Sequence, residues 1–130
     1  MLRTTFLLFL RYWFPLLIYA VLILALSTRP QIDLPQLPIS DKLIHFVEYG
    51  ILGMLLLRLF KRDFKMRGLR LWLLHIFSLA AFAFLDELLQ SFIPSRDADF
   101  FDWLADMSGG LAGALIYVCI RLAWKMMRSL

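Results

Sequence analysis

Four apolar runs of about twenty residues each, parted by short polar stretches, limit what this 130-residue chain can fold into more than any other feature. A hydrocarbon layer about 30 Å thick is crossed by about twenty helical residues. No water is available there to bond a bare backbone, so each run must close its hydrogen bonds within a helix. The expectation is an all-α fold, a polytopic membrane protein built as a four-transmembrane-helix bundle, with helices at 6–26, 41–60, 71–92 and 102–122. The hydrophobic share of 62% and mean hydropathy of +0.75 support this, since soluble domains hold about 45–50% apolar residues. One membrane domain over residues 1–130 uses the whole length and leaves no space for a soluble module.

Charge sets the expected orientation. About eleven of the fourteen Lys and Arg fall in the N-terminal segment, between the second and third runs, and in the C-terminal tail. With four crossings these stretches share one side, and the positive-inside rule makes that side, with both termini, cytoplasmic. The acids go the other way: Asp63 is cytoplasmic, while Asp33, Asp41, Glu48, Asp86, Glu87, Asp97, Asp99, Asp102 and Asp106 collect toward the outer half. The net charge of +4 and pI near 9.6 do not argue for a nucleic-acid partner, because the basic residues flank apolar runs where lipid head groups explain them.

The first run carries Arg11, placed to snorkel toward the near interface beside Tyr12 and Trp13. Its basic start and Ala25-Leu26-Ser27 mimic a signal peptide, but the apolar run is long for one, and an uncleaved helix is expected. Between residues 27 and 40, three prolines forbid a regular helix, and Ser40 then stands as an N-cap before Asp41. Ile93-Pro94 ends the third helix. The lone Cys119 lies inside the last run, which excludes a disulfide framework and points to packing in a buried apolar site. Trp72, Trp103 and Trp124 fall near the expected interfaces as anchors.

Spacing then gathers the polar residues. Asp41, His45 and Tyr49 are four apart and form one stripe at the outer end of the second helix, flanked by Glu48. Asp86 and Gln90 share a face of the third helix with Glu87 adjacent, and Asp102 and Asp106 share a face of the fourth. One ionised acid near the middle of a membrane helix costs on the order of 2.5–3.5 kcal/mol. Retained protons, pairing with Arg96 and a charged His45, or a bound cation each remove that penalty, and the sequence does not choose among them.

Several roles follow for these residues. His45 fits an orienting hydrogen bond to a carboxylate, general acid/base work, or metal ligation. His45, Glu87, Asp102 and Asp106 are the candidate metal ligands, although no HExxH or cysteine spacing is present. No cofactor is otherwise expected beyond such a divalent cation. Arg96 has the planar fork that suits a phosphate or carboxylate, or it neutralises the acids beside it. His75, without acidic neighbours on its helix, reads as a packing residue. Gly109 and Gly113 form a GxxxG spacing that lets another helix approach, first within the chain and second as a homodimer face. No phosphate-binding glycine loop, GxSxG or Ser-His-Asp pattern appears.

The series Asp41-Lys42-Leu-Ile-His45-Phe46-Val-Glu-Tyr49-Gly50, Asp86-Glu87-Leu-Leu-Gln90-Ser-Phe-Ile-Pro94-Ser-Arg96 and Asp102-Trp-Leu-Ala-Asp106-Met-Ser-Gly109-Gly110-Leu-Ala-Gly113 resembles the motifs of the VanZ-like family. Ser95 stands where glycine is common in that family, and Asp106 where asparagine is frequent. The resemblance implies a small bacterial protein of the cytoplasmic membrane, in a family whose namesake is associated with resistance to the glycopeptide teicoplanin. It carries site roles onto Asp41, His45, Tyr49, Asp86, Glu87, Gln90, Arg96, Asp102 and Asp106. The expected function is binding of a lipid, an envelope precursor or a glycopeptide antibiotic at an outward-facing site, with membrane lipids as partners. The alternative is an intramembrane enzyme on a lipid-linked envelope substrate, with His45, Asp86 and Glu87 as acid and base. A proton or cation pathway built by an oligomer is a third reading.

Overall fold

A computed structural model of the chain describes residues 6–28, 41–94 and 98–129. Four helices account for nearly all of them: α1 (Phe6–Ser27), α2 (Asp41–Arg62), α3 (Gly68–Gln90) and α4 (Phe100–Met127). Each is long and apolar enough to cross a membrane. The chain is an all-helical, multi-pass membrane protein. No strand occurs among the described residues. The proline-rich stretch and the Ser40 cap lie outside them.

The helices alternate in direction, so α2 and α4 run parallel and make the most extensive contact in the fold. Glycine is the cause. A Cβ on Gly113 would collide with the Gly50 carbonyl, one on Gly109 with the Phe46 carbonyl, and one on Gly53 with the Gly110 backbone. At such a seam the two backbones touch, and dispersion and polar contacts replace side-chain interdigitation. The GxxxG spacing of α4 thus faces α2 within the chain, where Gly50 and Gly53 answer it.

Helix α1 is not regular throughout. Residues Phe9–Trp13 form a wider π turn, with the Phe14 N–H bonded to the Phe9 carbonyl. Pro15 explains it: the ring has no N–H to give and crowds the carbonyl four residues back, that of Arg11. The displaced carbonyl accepts instead from Arg58 Nη2 of α2 at 3.0 Å. The Arg58 guanidinium also lies over the Tyr12 ring, 5.2 Å from its centroid, and Arg11 lies over the same ring at 5.6 Å. Trp13 Nε1 donates to Asp63 Oδ2 at 2.7 Å, tying α1 to the turn after α2. In that turn Lys65 and Gly68 take left-handed φ values of 53° and 61°, the second of which glycine adopts without strain.

Helix limits differ from the sequence expectation by a few residues. Helix α3 ends at Gln90 rather than at the proline, because Ser91, Phe92 and Ile93 tighten into a terminal turn on the carbonyls of Glu87, Leu89 and Gln90. Helix α4 begins at Phe100, where the Asp99 side chain caps the Phe101 N–H at 2.8 Å, and it continues past 122 to Met127. Two further expectations are corrected. Cys119 is exposed on the outer face of α4 rather than buried, so it lies outside the core of the bundle. Trp103 is more than an interface anchor: it stacks on Phe100 at 5.8 Å and its indole N–H reaches the Ala80 carbonyl of α3 at 3.4 Å.

The bundle is apolar outside and partly polar inside. Phe6, Val21, Phe77, Phe84 and Ile120 are exposed, as a lipid-facing surface requires. The buried apolar core runs through Ile23, Tyr49, Leu57, Leu71, Leu79 and Ala114. His75 is buried against the edge of the Trp72 ring. Its ring nitrogens have no hydrogen-bond partner among the described residues, the nearby Gly110 backbone falling short of bonding geometry.

Gly113→Ala should force the α2–α4 seam apart and destabilise the purified protein by about 1–3 kcal/mol, since backbone and not a pliable side chain stands in the way. Gly50→Ala meets the Gly109 carbonyl at an ordinary 3.5 Å and should change stability by no more than about 1 kcal/mol. Thermal unfolding of both variants in one detergent checks the contrast.

Candidate functional site

The polar residues meet where α1 ends, α2 begins, α3 ends and α4 begins. They stack in three tiers. In the deepest, Asp86 of α3 accepts from the Ser27 hydroxyl of α1 through Oδ1 and from the Tyr49 hydroxyl of α2 through Oδ2 at 3.2 Å. All three residues are buried. Two hydroxyl donors aimed at one carboxylate offset part of its desolvation, charged hydrogen bonds being worth about 1.5–3 kcal/mol each.

In the middle tier His45 of α2 and Asp106 of α4 share a hydrogen bond of 2.9 Å between Nδ1 and Oδ1. The seam makes this contact possible, because Gly109 and Gly113 follow Asp106 by one and two turns and bring its helix against α2. Glu87 stands beside the pair, and its Oε2 accepts the backbone N–H of Asp99 at 2.9 Å, joining the end of α3 to the start of α4. Glu87 Oε1, Asp106 Oδ2 and Gln90 Nε2 are buried with no hydrogen-bond partner among the described residues.

At the mouth, the Lys42 ammonium bridges Asp99 Oδ2 and Asp102 Oδ1, both at 2.7 Å. Its contact with Asp99, together with the N-cap bond from Phe101, holds that carboxyl below its ordinary value of 3.8. Asp41 is exposed on the rim. Six carboxyl groups (Asp41, Asp86, Glu87, Asp99, Asp102 and Asp106) thus surround one lysine and one histidine among the described residues.

Two sets of side chains have metal-ligand proximity. Asp41, His45 and Asp102 offer donor atoms within 4.8 Å of one another at the mouth, and His45, Glu87 and Asp106 do so in the interior. Beside the cluster lies a cleft of about 290 Å³ lined by Phe84, Glu87, Ala98, Asp99, Phe100 and Trp103. Phe84 and Phe100 are exposed, so the cleft opens on the flank of the bundle that lipid would touch. Two larger hollows sit at the other end. One is apolar and lined by Leu69, Leu73 and Phe77; the other is basic, between Arg62, Arg121 and Arg128, and neither reaches the acids.

A family model described as VanZ/LLP1 matches residues 4–122, nearly the whole chain and every residue of the three tiers. The chain belongs to this family. Neither a curated protein nor a solved structure matches it. In this VanZ-like protein the sequence stripes converge as their spacing suggested: Asp41, His45, Tyr49, Asp86, Glu87, Gln90, Asp102 and Asp106 all stand at one end of the bundle. The carboxylate that His45 bonds is Asp106, and Asp86 is engaged by two hydroxyls. Arg96 lies outside the described residues, and the cation seen among the acids is Lys42.

Lys42, Ser27, Asp99 and Trp103 join the site without a role that the sequence assigns them. Lys42 carried a legible signal, as one of few cations on the acidic side and three residues before His45. Ser27 carried none, because nothing in its own helix marks which face meets Asp86.

Acid should open the Lys42–Asp99 pair below the ordinary aspartate value. A carboxyl with a depressed folded value contributes stability that is present above its unfolded value and is lost as pH falls through the folded one. The pair should therefore open below 3.8 rather than at it. Carboxyl carbon NMR of Asp99 checks this, and Lys42→Met should move its titration part of the way back toward 3.8 while the N-cap bond remains.

Proposed function

We propose that this VanZ-like membrane protein binds an amphiphilic envelope molecule at the outer face of the bacterial cytoplasmic membrane. The observation that carries the reading is the junction of two unlike surfaces at Glu87. On one side lies the aromatic cleft of Phe84, Phe100 and Trp103, which suits an acyl chain or hydrophobic ring system; on the other lie the carboxylates of the cluster. A lipid, an envelope precursor or a glycopeptide with a donor-rich or cationic head group combines both needs. Asp41, Asp99 and Asp102 at the mouth would meet the head group, together with Arg96. Tyr49, Asp86 and Gln90 are buried and would act from behind, holding the tier that supports His45 and Asp106. A contribution to teicoplanin resistance follows from capture or shielding of such a molecule.

The outward orientation rests on charge. Lys61, Arg62, Lys65, Arg67 and Arg70 lie at the end opposite the acid cluster, with Arg121, Lys125 and Arg128, and the positive-inside rule puts that end and both termini in the cytoplasm. A reporter enzyme active only outside the cytoplasm should work when fused after Arg96 and fail when fused after Lys65. The opposite pattern would place the acids inside and end the outer-leaflet reading.

One observation favours the enzymatic alternative. The buried His45–Asp106 hydrogen bond beside Glu87 is the arrangement of a general base held by one carboxylate near a second acid. Purified protein that turned over extracted envelope lipid, and lost turnover in His45→Gln, would decide for it.

For the binding reading, cells producing the wild-type protein should tolerate more teicoplanin than cells without it. His45→Ala, Glu87→Gln and Trp103→Ala should each return them to the empty-vector level at unchanged membrane abundance, and Cys119→Ser should not. Full protection by all three variants would show the site to be irrelevant.

A further inference from the structure

Among the buried acids, Glu87 Oε1 and Asp106 Oδ2 stand out because no donor among the described residues reaches them. The residues are 6% and 0% exposed, so solvent does not serve them. A carboxylate oxygen in that position carries a desolvation cost that only a proton, a donor or a cation removes. These two come from α3 and α4, and His45 adds an imidazole from α2, with donor atoms of all three within 4.8 Å of one another.

We infer that His45, Glu87 and Asp106 form a binding site for one divalent transition-metal ion of the Zn²⁺ or Mn²⁺ class. One ring nitrogen of His45, Glu87 Oε1 and Asp106 Oδ2 are its ligands. Imidazole mixed with carboxylate suits such ions, whereas Ca²⁺ and Mg²⁺ favour all-oxygen sets. Metal–ligand bonds of about 2.0–2.2 Å require the three side chains to draw slightly inward, within the freedom of their rotamers. The dication balances the charges of Glu87 and Asp106 and leaves His45 as a neutral imidazole. One support that orients a ligand is already in place, since Glu87 is held through Oε2 by the Asp99 N–H, whereas the ion takes His45 Nδ1 and so replaces the 2.9 Å His45–Asp106 hydrogen bond.

The outer trio is the poorer site. Asp41 is exposed, and Asp102 Oδ1 lies 2.7 Å from the Lys42 ammonium, which repels a cation at the same oxygen. Cys119, the one thiol in the sequence, is on the outer surface of α4 and takes no part.

The inference goes beyond the amphiphile reading and does not depend on it. Full-length protein in detergent is stripped with chelator, desalted and titrated with Zn²⁺ or Mn²⁺ alone, with bound metal counted by mass spectrometry. One ion per chain is expected. Glu87→Gln, Asp106→Asn and His45→Gln should each weaken binding by about tenfold or more, and Cys119→Ser should bind as the wild type does. Co²⁺ in the wild-type protein should show the visible absorption of a nitrogen- and oxygen-ligated ion, which requires no variant to fold. Absence of a stoichiometric ion in the wild type overturns the assignment. Loss of binding in Asp41→Asn with retention in Glu87→Gln also overturns it, by moving the ion to the outer trio. Since no amphiphile is present, either failure leaves the proposed binding function to its own test.

Discussion

Direct backbone contact between α2 and α4 governs the rest of the structure. Three glycines, Gly53 on one helix and Gly109 and Gly113 on the other, stand where a Cβ would strike the facing backbone, at Gly110, Phe46 and Gly50 respectively. In a bilayer no hydrophobic force drives helices together, so close packing and interhelical polar bonds have to supply the attraction. The seam provides the first and makes room for the second. Because the two helices run parallel, their N-termini lie side by side, and residues near the start of each, Lys42 and His45 against Asp102 and Asp106, fall opposite one another. An antiparallel pair with the same glycines would have placed the acids and the histidine at opposite ends of the bundle.

The second constraint is the cost of polar atoms in a low-dielectric interior. Each tier meets it differently. Asp86 takes two hydroxyl donors from two helices, Asp99 and Asp102 take an ammonium at the surface, and Asp106 takes an imidazole. A pattern of this kind locks helices in register, since every bond crosses from one helix to another. It also leaves Glu87 and Asp106 each with one oxygen unserved among the described residues, and an apolar cleft lies on the Glu87 side of the cluster.

Much of this was legible in the sequence. The four runs gave the helices because a span of that length has one way to satisfy its backbone, and spacing of four put Asp41, His45 and Tyr49 on one face. Pairing across helices was not legible, since relative rotation is fixed by packing that periodicity within one helix does not reveal. That is why the carboxylate that His45 bonds stays unspecified in the sequence, although Asp106 is among the candidate site residues. Cys119 was misplaced for a related reason: in a run apolar on every side, no pattern separates the lipid face from the core. Pro15 could have suggested the π turn, but its effect on Arg11 depends on Arg58 being there to receive the carbonyl.

The order of the helices along the chain has a consequence for biosynthesis. Helix α2 leaves the ribosome with a glycine groove and half of a polar site, and its true neighbour is the last described helix, separated from it by all of α3. Until α4 arrives, lipid tails must fill the groove, and Glu87 enters the bilayer without the Asp99 N–H that it later accepts, while Asp86 already has Ser27 and Tyr49. The acidic centre is therefore completed only late in membrane insertion, and a nascent chain halted before Asp106 would present quality-control proteases with unshielded carboxylates on helices still able to drift apart.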